Sequence, residues 1–420
     1  MTMYGPFFKH AEVTTVDNTK KETIYINFLQ QAAGLSYSVH ALLSSEKLLN
    51  NNLLKPVSLY AFDYMHGLCS HGVLNDMLFL VVESIHLSES GLKPWDNLKD
   101  WMELWSFPRA YSISDIEKLF EGKAVASNRK AGTFKCDASQ LLQVYKPVEH
   151  FLKVMYLAHN IMVVQCKAYV CWTKVLDYLT SLPFLSDNSP AKLLSLVEKA
   201  MAATVAGGFA DQMKPKFHWC LHFADCLRRW SQLPACWALE RKHKQPRKFG
   251  SVHCKLVTYE KGLLSAVSME HINTLVTQHD LFKASCHLIN PSGLTKKLAK
   301  MFQELQCFVP GMVYSKRCIL QNGATCYKDD VVFMQKHPGG NEFWQCGQVK
   351  HFFDAAGLLL CLVDMFTLLG LRAGTESSKW QAGGALKLVD VREVLQPVIH
   401  SHGKDGTLTC LTPALLSCPE

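Results

Sequence analysis

Long apolar runs are missing from this sequence. The nearest approach, 355–371, contains Asp364 and is shorter than the roughly 20 residues a membrane-spanning helix needs, so it reads as buried core. Residues 1–21, MTMYGPFFKHAEVTTVDNTKK, hold no apolar segment of signal-peptide length. Regular cysteine spacing is missing too. Sixteen cysteines are scattered along the chain, which argues for reduced thiols and an intracellular protein, nuclear or cytoplasmic, with no membrane partner. Repeats and low-complexity tracts are absent. With 48% hydrophobic and 19% charged residues, the chain can bury a large core, and wholesale disorder is excluded.

Acids are scarce in one place. The net charge is +8, and the segment from Lys214 to Lys255 carries ten Lys/Arg against two acids, Asp225 and Glu240. The rest of the chain is neutral, so the surplus sits in one tenth of the sequence. Nucleic-acid affinity is largely phosphate neutralisation, so such a patch suits DNA. Its candidate contacts are Arg228, Arg229, Arg241, Lys242, Lys244, Arg247 and Lys248. A solvated helix face is the plainer alternative.

Hydrophobic spacing predicts a helix over 22–50, a short buried strand over Pro56–Phe62 and a helix over Leu74–Ile85. Only helix signals follow from about 95 to 210. They include a capping-box spacing at Ser114–Glu117, a cap before a first-turn proline at Ser189–Pro190, and a long apolar helix over His150–Leu182. Helices are also expected over Pro215–Trp230, Cys236–Lys244 and about 255–305. After Pro310 the character changes. MVYSKRCIL, DDVVFM, EFWQCGQVKHFF and LKLVDV are short β-rich runs separated by turn chemistry at Asn322–Gly323 and Pro338–Asn341.

Two stretches carry chemistry. In the first, SLYAFDYMHGLCSHGV, Asp63 ends the expected strand and His66 follows three residues on. A helix-capping Asp and a core histidine are the bland reading. In the second, Lys214–Gly250, Glu240 closes an apolar run and opens a basic segment. Asp63 and Glu240 are the candidate metal-binding acids, with a helical insert between them. Two carboxylates on one Mg²⁺ activate water for phosphodiester cleavage. The histidines and cysteines His218, Cys220, His222 and Cys226 raise zinc, but one helix points Cys220 away from His218 and His222. They read as core.

These residues resemble a family. Asp63-Tyr-Met-His66 is similar to the D-x-x-H signature of CACTA (En/Spm)-type DDE transposases. The stretch Lys214-Pro-Lys-Phe-His218, His222, Arg228-Arg229 and Trp237-Ala-Leu-Glu240-Arg241-Lys242 resembles that family's later block, P-K-x-H-x-x-x-H, then a basic and aromatic helix, then F/W-x-x-E-R. The resemblance implies a mostly helical α+β protein: a partial RNase H-like core in 1–95, a large helical insertion over 96–213, and the helical end of the catalytic core with the basic patch over 214–307. It implies DNA as partner and Mg²⁺-dependent DDE strand transfer, with Asp63, His66 and Glu240 as catalytic residues. The family's upstream acids have no counterpart. Glu12, Asp17, Glu22 and Glu46 lie in polar or helical surroundings rather than at strand ends. The expectation is a transposase-derived DNA-binding protein that lacks a complete catalytic triad and does not transpose on its own.

Residues 308–420 resemble small barrel modules of the SH3-like, Tudor or bromo-adjacent-homology (BAH) kind. Phe343, Trp344, Phe352 and Phe353 would line a cation cage or form the barrel core. The alternative function is therefore a protein-interaction or chromatin-binding scaffold working through this module.

Overall fold

A computed structural model describes residues 62–88, 92–182, 189–233, 259–277, 286–304, 308–335, 344–372 and 375–412. The expected helices over 22–50 and 236–244, all of the 56–62 strand except Phe62, and the 338–341 turn lie outside them. The architecture is α+β, a helical unit followed by antiparallel sheets.

The helical unit is organised around two apolar helices. Helix α1 (Val73–Ser88) buries Leu74, Met77, Leu78, Val81, Val82 and Ile85. The segment Met65–Ser88 is long and apolar enough to cross a membrane, but 72% of its most apolar window is buried inside this fold. Helices α2 (Pro94–Glu103), α3 (Ile113–Lys118) and α4 (Gly122–Ala131) lead into α5 (Ala138–Met155) and α6 (Val163–Ser181). Helix α6 packs against α1, α5 and α7 (Pro190–Ala206). Its fully buried aromatics each carry a satisfied polar tip. Trp172 Nε1 donates to Thr204 Oγ1 at 2.9 Å, and Tyr178 Oη donates to the Ser189 carbonyl at 3.0 Å.

Three helix expectations need correction. The single helix over 150–182 is two helices, because Asn160 (φ 57°) and Met162 (φ 45°) adopt left-handed backbone and turn α6 back onto α5. The cap of α3 is at Ser112, two residues ahead of the expected Ser114. Pro215–Trp230 divides at His222 into α8 (Pro215–Leu221) and α9 (Phe223–Trp230). Ser189 does cap α7, accepting the Lys192 N–H at 3.2 Å. Helix α10 (Tyr259–Thr277) follows.

Strands begin at His287, ahead of the expected change near 308. Strands β1 (His287–Leu288) and β2 (Ser292–Gly293) and helix α11 (Lys296–Glu304) already belong to the sheet unit, where Phe302 packs edge-on against Phe353 at 4.6 Å. Next come β3 (Val313–Ser315), β4 (Arg317–Ile319), β5 (Thr325–Tyr327), β6 (Val331–Met334) and β7 (Gln345–Ala355). Beyond them lie β8 (Leu358–Met365), β9 (Thr367–Arg372), β10 (Ser377–Gln381), β11 (Leu386–Asp390), β12 (Val394–Pro397), β13 (His400–His402) and β14 (Thr407–Leu411). One sheet runs β11-β8-β7-β3-β2, with β6 bridging β7 and β12. The others run β1-β4-β5 and β13-β14-β10-β9. None closes into a barrel among the described strands.

Strands β6 and β7 pair antiparallel, with Val331 opposite Gln348. Phe352 and Phe353 point to opposite faces of β7, and both are fully buried in separate clusters, so they are core rather than cage. Trp344 is half-buried against the Phe333–Trp380 cluster, and Phe343 lies outside the described residues. The 355–371 run holds two successive strands of different sheets, β8 and β9, rather than continuous core, since Leu358, Leu368, Leu369 and Leu371 are exposed.

The two units meet along a built junction. Ser106 and His400 exchange backbone hydrogen bonds at 2.7 and 3.1 Å, Arg109 Nη2 pairs with Asp329 at 3.1 Å, and Leu411 enters the helical core. His150 sits near this junction between Trp101 and Trp105, with neither ring nitrogen hydrogen-bonded. Burial, reinforced by Lys153 and Arg372, pushes its pKa down to about 4, with Glu149 opposing. Burial likewise pushes His400 to about 4.

Both imidazoles are thus neutral in the fold, whereas the unfolded chain titrates them near the ordinary 6.5. Between about 6.5 and about 4 the unfolded chain binds more protons, so stability falls as pH falls through that window. Denaturant unfolding is expected to show lower stability at pH 5 than at pH 7.5, with His150→Phe narrowing the gap. A gap unchanged in that variant would clear His150 of the effect.

Candidate functional site

Phe62 and Asp63 lead into a π-helical turn, Met65–Cys69. Asp63 caps it: its carbonyl accepts the Gly67 N–H and its Oδ1 the Met65 N–H, both at 3.0 Å. The three-residue spacing puts His66 on the same side of the turn, and its Nδ1 contacts Asp63 Oδ2. The Asp63 side chain is 13% exposed and that of His66 42%. Asp63 therefore does act as a cap, but His66 is a half-open imidazole held by a carboxylate, not a core residue.

The second motif block packs directly onto this turn from about 150 residues away in sequence. Lys216 Nζ donates to the carbonyls of His66 (2.9 Å), Ser70 (2.9 Å) and His71 (3.0 Å). These are carbonyls a helical turn leaves without partners as it ends. Lys214 Nζ reaches Asp76 at the start of α1 at 2.6 Å. The Phe223 ring fills the space above Gly67, where a Cβ would stand 2.7 Å from it. Phe62 stacks on His222 at 5.1 Å, and its N–H points at Cys226 Sγ at 3.5 Å. Trp172 on α6 meets Phe217 edge-on at 5.5 Å and ties α8 to the central core.

Helical spacing brings the Nε2 atoms of His218 and His222 to 3.1 Å. One must donate and the other accept, so both rings cannot be cationic in this arrangement. Burial, then the His218 charge, pushes the His222 pKa down, with Asp225 opposing. Two imidazoles so placed suit two ligand positions on one transition metal. The nearby thiols face elsewhere: Cys220 Sγ donates to the Lys216 carbonyl at 3.3 Å, and Cys226 meets Phe62. Burial pushes the Cys220 thiol pKa well up.

Among the described residues, one group of three could hold an ion by distance: Glu149, Asp177 and Glu376, with ligand atoms within 4.8 Å of one another. Lysines already occupy it. Lys146 Nζ lies 3.2, 2.5 and 3.1 Å from Glu149, Asp177 and Glu376, and Lys153 Nζ lies 2.7 and 3.1 Å from Glu149 and Glu376. Lys174 also contacts Glu376. Burial opposes charge on Lys146, Lys174, Glu149 and Asp177. Asp177 and Glu149 outweigh it for Lys146, whose pKa is raised; for Lys174 it prevails, and the pKa falls. Lys146 and Lys153 hold Glu149 below the usual carboxylate range, while burial raises Asp177. A divalent cation would have to evict three ammonium groups.

Of the expected site, then, Asp63 and His66 come together. Arg228 and Arg229 are exposed on α9, Arg228 paired with Asp225 at 2.5 Å. Glu240, Arg241, Lys242, Lys244, Arg247 and Lys248 lie outside the described residues, and with them the Asp63–Glu240 approach. Sequence reasoning missed Lys216 as a clamp, although its place in Lys-Pro-Lys-Phe-His218 was in view. It also missed the Glu149–Asp177–Glu376 cluster, whose signal was charged residues at helical spacing inside apolar helices. No protein-family model, curated protein or solved structure matches the chain.

Lys216→Met would strand two partly buried carbonyls, those of His66 and Ser70, and free the exposed one of His71, at a cost of about 1–3 kcal/mol. Faster amide exchange across 67–71 is expected in this variant, with Lys216→Arg retaining most of the protection. Wild-type exchange in Lys216→Met would show that the clamp does not hold the turn.

Proposed function

We propose that the chain is a DNA-binding protein derived from a CACTA-type transposase, its catalytic site incomplete. The observation that carries this reading is the contact between the two motif blocks. Lys216, Phe223 and His222 of the later block close over the turn and flank of Asp63-x-x-His66, as a shared site requires. The finer assignment goes with it: an RNase H-like core, of which the Asp63 turn is a part, with residues 96–213 as helical insertion. Asp63 is already engaged at both oxygens, by the Met65 N–H and by His66.

DNA would lie against the basic run beginning with Arg228 and Arg229, exposed on α9, and continuing through Arg241–Lys248. Phosphate contacts of this kind give affinity with little sequence preference. The alternative, a protein- or chromatin-binding scaffold acting through an SH3/BAH-like module in 308–420, has less behind it, because two of its cage aromatics are core.

Fluorescence titration of duplex DNA across salt concentrations tests the proposal. Alanine at Arg241, Lys242, Lys244, Arg247 and Lys248 is expected to flatten the log–log salt dependence by about four to five. An unchanged slope would remove the patch from DNA binding.

A further inference from the structure

We propose that Lys146, Lys153 and Lys174 form an oxyanion-binding socket, which the Glu376 carboxylate occupies in this structure and a phosphate group can occupy in its place. The lysines come from two adjacent helices, α5 and α6. The carboxylate comes from the other unit, on the turn that enters β10. Glu376 Oε2 accepts from Lys146 at 3.1 Å, and Oε1 pairs with Lys153 at 3.1 Å and with Lys174. Three ammonium groups converging on two oxygens of one anion is the arrangement charge-assisted phosphate recognition uses.

Charge counting makes the occupant necessary. Within the socket the helical unit supplies three lysines but only two acids, Glu149 and Asp177. One positive charge is left over, and in a buried setting it must be matched by an anion from elsewhere. Glu376 is that anion. The site also has a mouth: the side chains of Glu149 and Asp177 are 2% and 1% exposed, those of Glu376 and Lys174 20% and 32%. Solvent therefore reaches the socket on the side where Glu376 enters. The backbone at Glu376 is left-handed (φ 50°), a conformation a non-glycine residue keeps only where its surroundings hold it. A phosphate monoanion that replaced the carboxylate would release this turn and keep the socket neutral.

Thermal unfolding of the full-length chain tests the socket, with inorganic phosphate titrated against chloride at matched ionic strength. Glu376→Ala is expected to melt lower than the wild type and to recover by several degrees, saturably, with phosphate but not with chloride. The wild type, its socket filled, should respond less. Glu376→Ala/Lys174→Met, with two lysines against two acids, is expected to melt above Glu376→Ala and to lose the phosphate response. Glu376→Gln serves as a second charge-removing variant that keeps the side chain's shape. A flat phosphate response in whichever single variant folds, or failure of both to fold even in phosphate, would overturn the proposal. So would a phosphate response undiminished in the double variant.

Discussion

One carboxylate from the sheet unit completes the charge balance of the helical core. Three lysines and two acids on α5 and α6 leave a positive surplus that Glu376 neutralises from across the junction. Burying ions costs several kcal/mol each, and pairing about offsets it, so the network adds little net stability. Its effect is geometric. Removing a single member would leave a buried charge unmatched, which costs about 3–5 kcal/mol. The sheet unit is therefore held in one place, and the Ser106–His400 exchange, the Arg109–Asp329 pair and the entry of Leu411 follow in register.

The same helical core places the motif blocks. Helix α6 carries Asp177 and Lys174 toward the junction and Trp172 toward Thr204 and Phe217. Phe217 lies on α8, next to Lys216, whose ammonium ends on the carbonyls behind His66. A chain of direct contacts thus runs from the ion network to the Asp63 turn. Residues 62–72 and 214–226 are adjacent because α1, α6 and α7, which lie between them in sequence, pack together, not because of local sequence.

Much of this was legible in the sequence, and the failures have physical causes. The helical stretch over 95–210, helix α1, the Ser189 cap and the β-rich C-terminal runs all announced themselves by period and turn chemistry. The breaks at Asn160 and His222 did not. Neither Gly nor Pro marks them, and tertiary packing decides them. Spacing alone could not separate a buried helix from two half-exposed strands of different sheets, which is why 355–371 read as core. At the site, the residue types pointed to two blocks but gave no contact between them. The Lys216 clamp and the Glu376 socket join residues 145 to 230 positions apart, a distance no local pattern encodes.

The central claim is that the two motif blocks form one DNA-facing surface. Hydrogen–deuterium exchange of the full-length chain with and without duplex DNA tests it most directly. The account predicts new protection concentrated in 62–72 and 214–230, appearing together at one DNA concentration. Protection confined to the sheet unit, 286–412, with both blocks unchanged, would contradict it.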